Sequence, residues 1–280
     1  MLFVAAGHLT AGSREMLLQE GINYFDSSGT LYFRHATWLV DIDRPPRETS
    51  SRRIGSLFAG AREQVVHAML VHWHLTEGKF PISGAELAHM AATSTYTVSR
   101  TLQEMERLDW LQTTGSGPSQ RRLLSRPAAL LDAWAAAWTQ RSEVRSRWYA
   151  YAPRGGIVDV VLQRLVGHEG WAITGAAAAN AAVPHLSVVD RVVVIVAPGS
   201  SDVLAGTMQL KSADKGHNVI LVEREGASLL FLDSDPERPG SRFASPFVQY
   251  LDLLDGVGRN KELASELRRQ VLKIEESDVG

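Results

Sequence analysis

The stretch from Ser83 to Ser125 constrains the fold more than any other part of the chain. Ser83-Gly84-Ala85-Glu86 has the S-x-x-E form of a capping box. In such a box the serine hydroxyl and the glutamate carboxylate each satisfy an orphan amide at a helix start. The helix that begins there turns Leu87 and Met90 or Ala91 inward. Thr93-Ser94 breaks it, and Ser94 is a good N-cap for a second helix. In that helix Val98, Leu102, Met105 and Leu108 recur at spacings of four, three and three. At about 100° per residue this makes one apolar stripe, and Tyr96, Ser99, Arg100, Gln103 and Arg107 fall on the opposite face. The small residues Ala88, Ala91 and Ala92 let the two helices cross closely. Asp109 tolerates the left-handed conformation that often ends a helix. "WLQTT" and "RRLLS" then flank the tip "GSGPSQ", which predicts a two-stranded hairpin with Arg121 and Arg122 on its return arm.

The flanking sequence has a different rhythm. Residues 1–44 predict an N-terminal α/β piece: a strand at "LFVAA", a short helix closed by Gly21, and strands at "INYFD", "TLYFRH" and "TWLVDID" with a turn at Ser27-Ser28-Gly29. An opening inside a buried strand suggests a small or trimmed domain. "DRPPRETSSRR" carries two prolines and a Ser/Thr cluster and predicts a linker over 45–59. From Gly60 a helix shows Val65, Val66, Met69, Leu70 and Trp73 on one face and ends near Gly78. Residues 60–126 thus form a central domain. Residues 127–156 are expected as a helix ("LLDAWAAAWTQ") and a charged connection. Residues 157–280 are expected as a C-terminal α/β domain. Its helices are read at "IVDVVLQRLVGHEG" and "GAAAANAA", and its strands at "WAIT", "RVVVIVA", "NVILVE" and "SLLFLD". Two closing helices are broken at Gly256–Gly258. The fold class is α+β, multi-domain.

The central arrangement suits DNA. A major groove about 12 Å wide admits one helix, whose N-terminal residues reach base edges. Here those are Ser94, Thr95, Tyr96, Ser99, Arg100 and Gln103, on a helix spanning 95–108. Arg donates bidentately to guanine, while Ser, Thr and Tyr suit phosphates or single base contacts. The hairpin over 110–124 would hold the backbone through Arg121 and Arg122. The chain carries a net charge of −2, but 51–126 holds nine Lys/Arg against six acids. Charge distribution matters more than the total for such binding. The competing interpretation is a helix pair that serves packing alone, in a protein-interaction module.

"ELAHMAATSTYTVSRTLQEMERLDWL" resembles the winged helix–turn–helix of bacterial transcription factors, with Asp109 where a Gly commonly precedes the wing. "GINYFDSSGTLYF", "PAALLDAW" and "FVQYLDL" extend the likeness over most of the chain. They resemble the antitoxin and regulator family of abortive-infection E, or type IV toxin–antitoxin, systems. That resemblance implies a DNA-binding repressor, often acting on its own operon. The implied partners are a double-stranded DNA operator and a second copy of the chain. A small-molecule effector or protein partner would meet the C-terminal domain.

Catalysis has weaker support. Asp26 followed by Asp41 and Asp43 on a later strand resembles the metal-binding strands of restriction-endonuclease-like folds. Such sites hold Mg²⁺ with clustered carboxylates and usually use a Lys. Arg44 follows Asp43, and no Lys occurs before Lys79, so an inactive scaffold of that type fits better than a nuclease. "TGAAAANAAVPHLSVVDRVVVIV" has the small-residue turn of nucleotidyltransferases, but it supplies Asp190 alone, with Asp202 beyond the next strand. "APGSSD" is too short to be a phosphate loop. His67, His72 and His74 share a helix, but not all share a face, so no metal site is expected. The sequence has no Cys, which excludes disulfides and Cys-ligated zinc. No run approaches the roughly 18 apolar residues of a membrane helix. The expectation is a cytoplasmic regulator with neither enzyme activity nor cofactor.

Overall fold

The computed structural model describes residues 2–6, 9–26, 29–43, 57–152, 156–236 and 238–275. The predicted linker falls largely outside them, as do Ser27 and Ser28 of the first predicted turn. Leu57 and Phe58, at the linker's end, are buried in the core.

The N-terminal piece is a four-stranded sheet with one helix. Strand β1 (Phe3–Ala6) runs parallel to β2 (Asn23–Asp26), and β3 (Leu31–His35) and β4 (Trp38–Ile42) continue antiparallel in that order. Helix α1 (Ala11–Gln19) connects β1 to β2. Thr10 caps its start by accepting from the Ser13 amide at 3.1 Å.

The central region follows the local signals closely. Helix α2 spans Gly60–Leu75, α3 Gly84–Met90 and α4 Thr95–Arg107. Strands β5 (Ile82–Ser83), β6 (Leu111–Thr114) and β7 (Arg121–Leu124) form a three-stranded antiparallel sheet in the order β5-β7-β6. Both halves of the capping box are present at Ser83 and Glu86. Val98, Leu102 and Met105 are buried on α4 and pack with Leu87, Ala88 and Ala91 of the preceding helix and turn. Ala92 does not serve the helix crossing: it is exposed, with φ of 47°, and makes the turn between α3 and α4. Asp109 has φ of 56°, the left-handed stop expected of it.

Helix α2 departs from the one-sided pattern. Every residue from Val65 to Val71 is buried, His67 and Ala68 included. The helix is covered all round, by α4 on one side and by α5 (Pro127–Trp138) and the 3-10 turn Gly226–Leu229 on others.

The C-terminal sheet has the order β11-β8-β12-β10-β9, from β8 (Arg145–Tyr149), β9 (Trp171–Thr174), β10 (Val192–Val196), β11 (Lys211–Ser212) and β12 (Val219–Glu223). Only β10 and β12 pair in parallel. Alternation along each strand divides the sheet between two cores. Ala172, Ile195 and Val222 face one, with α7 (Gly175–Ala182), α9 (Pro246–Leu253) and α10 (Asn260–Leu267). Ile173, Val194 and Leu221 face the other, with α6 (Ile157–Leu165) and α8 (Ser201–Thr207). The first core is continuous with that of the central helices, running from Leu57 through Met105 and Trp134 to Ile274.

Two expectations are corrected. The charged "connection" contains β8, whose arginines alternate with the half-buried Ser146 and Trp148. "SLLFLD" is not a strand. Ala227 and Ser228 are buried in the 3-10 turn, Phe231 has φ of 54°, and only Asp233 makes a bridge, to Phe243. Helix α8, which begins at the last serine of "APGSS", had no periodic signal long enough to mark it.

Candidate nucleic-acid interface

The exposed face of α4 is assembled by its N-terminus. Ser94 Oγ accepts from the Thr97 amide at 3.1 Å, and Thr101 Oγ1 turns inward to the Thr97 carbonyl at 2.8 Å. Ser94, Thr95, Tyr96, Ser99, Arg100 and Gln103 all remain exposed, Tyr96 at 73%. The first turn of α4 contains no acid, so the positive end of the helix dipole is not offset there. Among the described residues nothing pairs with the Arg100 guanidinium. Two turns further on, Arg107 is held by Glu104 at 3.0 Å.

The hairpin beside α4 is fixed by ion pairs. Arg121 and Arg122 are adjacent on β7 and point to opposite faces, as any two neighbours on a strand must. Arg122 turns inward, with its side chain 13% exposed. Its Nε donates to Glu106 Oε1 at 3.1 Å and its Nη2 to Gln120 Oε1 at 2.6 Å. Thr113 Oγ1 donates to the same Glu106 oxygen at 2.7 Å, tying both hairpin arms to the end of α4. Arg121 stays half-exposed and meets Glu86 at 3.2 Å. Glu86 also caps the Ser83 amide, at 2.9 Å. The Ser83 hydrogen bonds, with Arg121 beside them, hold the Glu86 carboxyl below the usual carboxylate range. Arg121 and Arg100 are thus outward cations, whereas Arg122 is committed to the hairpin base. Arg126, just past β7, is exposed as well, and the sequence pattern did not single it out.

Of the catalytic and metal candidates, Asp26 and Asp43 meet on the Arg14 guanidinium, and the others lie apart from them. Asp26 is fully buried, bonds Arg14 Nη2 at 3.3 Å and closes its own turn by accepting from the Thr30 amide. Asp43 takes the other arm of Arg14, at 3.1 Å. Asp41 lies opposite Tyr32 on β4. Asp190 precedes β10, and Asp202 is exposed in the first turn of α8. His67 is buried between the Ala227 carbonyl and Ser245, while His72 bonds the Phe80 carbonyl. Among the described residues no group of three His, Cys, Asp or Glu side chains could hold a metal ion. No helix among them is long and apolar enough to cross a membrane.

A buried network lies where α2 meets the C-terminal sheet. Glu63 Oε1 accepts from Trp134 Nε1 at 2.8 Å and also from Arg141. Burial pushes the Glu63 carboxyl up, against the pull of Arg141. Arg224 forks between Glu143, at 2.7 Å, and Asp252, at 2.7 Å. None of these residues was a candidate from sequence, because they come from four distant segments.

Residues 122–273 match the model of a family described as transcriptional regulator, AbiEi antitoxin, type IV TA system. The class is therefore that of a transcriptional regulator. The match covers more than half of the chain, and the chain belongs to the AbiEi antitoxin family. "PAALLDAW" and "FVQYLDL" lie inside the matched stretch, which begins on β7 and leaves Ser94–Gln103 outside. No curated protein and no solved structure matches the chain.

Proposed function

We propose that the chain is a sequence-specific, double-stranded-DNA-binding repressor that regulates its own operon as an antitoxin-type regulator. In this reading α2, α3, α4 and the β6–β7 hairpin form a winged helix–turn–helix. Helix α4 enters the major groove and presents Thr95, Tyr96, Ser99, Arg100 and Gln103. Ser94 and the helix N-terminus meet a phosphate, and Arg121 exchanges Glu86 for the backbone. Arg122 contributes by holding the wing in place. Two copies would meet a two-fold operator. The C-terminal region would carry the effector or partner contact, and neither flanking region would be catalytic.

The observation that carries this reading is the two-sided α4. One face is sealed in the core, and the other leaves an arginine with no partner among the described residues and an exposed tyrosine at a helix start that bears no acid. Packing explains the first face only. The test is fluorescence anisotropy of the full chain on DNA from upstream of its own coding sequence, across a salt series. Saturable binding is expected that weakens steeply with salt as counterions are released and exceeds binding to scrambled DNA. Absence of binding at low salt would overturn the function. Undiminished binding by an Arg100→Ala, Arg121→Ala double variant would overturn the site.

A further inference from the structure

The start of α2, the 141–143 segment and the turn after β12 enclose an open cleft of about 650 Å³. This is within the usual range for small-molecule sites, roughly 300–1,000 Å³. Its charged lining is Glu63, Arg141, Glu143, Glu223, Arg224 and Glu225.

The two cations of the lining are already engaged. Arg224 has a side chain 4% exposed and gives four hydrogen bonds to Glu143 and Asp252. Arg141 pairs with Glu63, reaches the Phe58 carbonyl and lies over the Trp138 ring at 3.9 Å. Arg145, outside the lining, gives Glu143 a second cation. The acceptors are not matched in the same way. Glu63 is 6% exposed, and its Oε1 takes both donors, whereas its Oε2 accepts from no described residue. Glu223 is turned to the start of α8, where the Gly199 amide, at 2.8 Å, and Ser201 take its carboxyl and hold it below the usual carboxylate range. Among the described residues the exposed Glu225 has no cationic partner. An anion entering the cleft would meet the carboxylates of Glu63, Glu143 and Glu225. A cation would find unfilled acceptors at the floor and the rim.

We propose that this cleft binds a small organic cation with a guanidinium or primary-amine head, which donates to Glu63 Oε2 and is flanked by the carboxylate of Glu225. Glu63 stands at the start of α2, and the same helix packs directly against α4. Occupation is therefore linked to the helix whose outer face is assigned to DNA. That regulatory role rests on the function proposed above, whereas the binding itself does not.

The test is isothermal titration of the full chain with agmatine and putrescine, with succinate and inorganic phosphate as anionic controls. Saturable agmatine binding is expected, weakened at least about tenfold by Glu225→Lys and by Glu63→Gln, the equivalent of one charge-assisted contact. Glu63→Gln keeps an oxygen for Trp134 and Arg141. Should it fail to fold, the exposed Glu225→Lys variant carries the test. Silence with both amines, equal binding by Glu225→Lys, or tighter binding of either anion would overturn the site. Agmatine added to the DNA titration is expected to change operator affinity. An unchanged affinity alongside measured agmatine binding would overturn the regulatory role alone, and a chain that binds agmatine but no DNA would overturn the function and the regulatory role with it, leaving the site.

Discussion

The Trp138 indole nitrogen donates to Asp252 Oδ1 at 3.0 Å, across 114 residues of sequence. The same carboxylate takes Thr174 Oγ1 at 2.6 Å and two nitrogens of Arg224. Burial alone would raise the Asp252 carboxyl, but Arg224 and these hydrogen bonds outweigh it and hold the group below the usual carboxylate range. Removing one partner of a buried charge pair is costly because the other is left uncompensated. Asp252→Ala is expected to lower stability by about 3 kcal/mol or more, and Asp252→Asn by less, as measured by urea unfolding. Because the folded carboxyl is depressed, its contribution is fully present above roughly pH 4. It is lost as pH falls through the folded value.

His67 governs a different pH window. The Ala227 carbonyl only accepts, so His67 Nδ1 carries the proton at 2.9 Å, and Nε2 accepts from Ser245 Oγ at 2.6 Å. Full burial lowers this imidazole to about 4. The unfolded chain therefore binds a proton that the folded chain refuses. Stability is full above about pH 6.5 and declines towards pH 4, by roughly 3 kcal/mol in all. His67→Gln should flatten that limb in unfolding curves taken between pH 7.5 and pH 4.5, whatever it costs at neutral pH. An unchanged slope would count against a neutral, buried His67.

Arg100 on α4 and Arg122 on β7 should separate by phenotype. Arg100→Ala is expected to weaken operator binding by about 1–3 kcal/mol with little change in melting temperature. Arg122→Ala should instead destabilise the fold by about 1–2 kcal/mol, because Glu106 loses its partner, and should weaken DNA binding only in proportion to the unfolded fraction. Paired melting and anisotropy measurements distinguish the two.

Asp109 closes α4 in the left-handed region. A β-branched residue there meets the full steric cost of that conformation, so Asp109→Val should cost about 1–2 kcal/mol. Asp109→Gly should be close to neutral. Differential scanning calorimetry of the two variants decides this, and equal losses would show that the side chain, not the backbone, matters.

Legibility followed the range of the interactions. Caps at Ser83 and Ser94, the α4 stripe and the stop at Asp109 depend on neighbours within four residues, and all four stood in the sequence. Arg122 was legible in principle, since the period of two sends neighbours to opposite faces, but a basic pair invited one role for both. Strand β8 was hidden because Arg145 and Arg147 face outward and gave the segment a charged look. "SLLFLD" was apolar enough for a strand, yet burial of Ala227 and Ser228 under α2 bends it away. The cleft could not be foreseen. Its carboxylates come from residues 63, 143, 223 and 225, and only the tertiary fold brings them together.

The all-round burial of α2 has a consequence for inheritance. Between them the residues from Val65 to Val71 answer to two sets of neighbours, α3 and α4 on one side and the C-terminal elements on the other. A substitution that suits one set is vetoed by the other. The two halves must therefore diverge in step, and residues 60–126 excised on their own would carry a raw apolar flank where their partner had been. Chimaeras that join the central region of one relative to the C-terminal half of another should fold only when α2 is transplanted with matching residues on both sides.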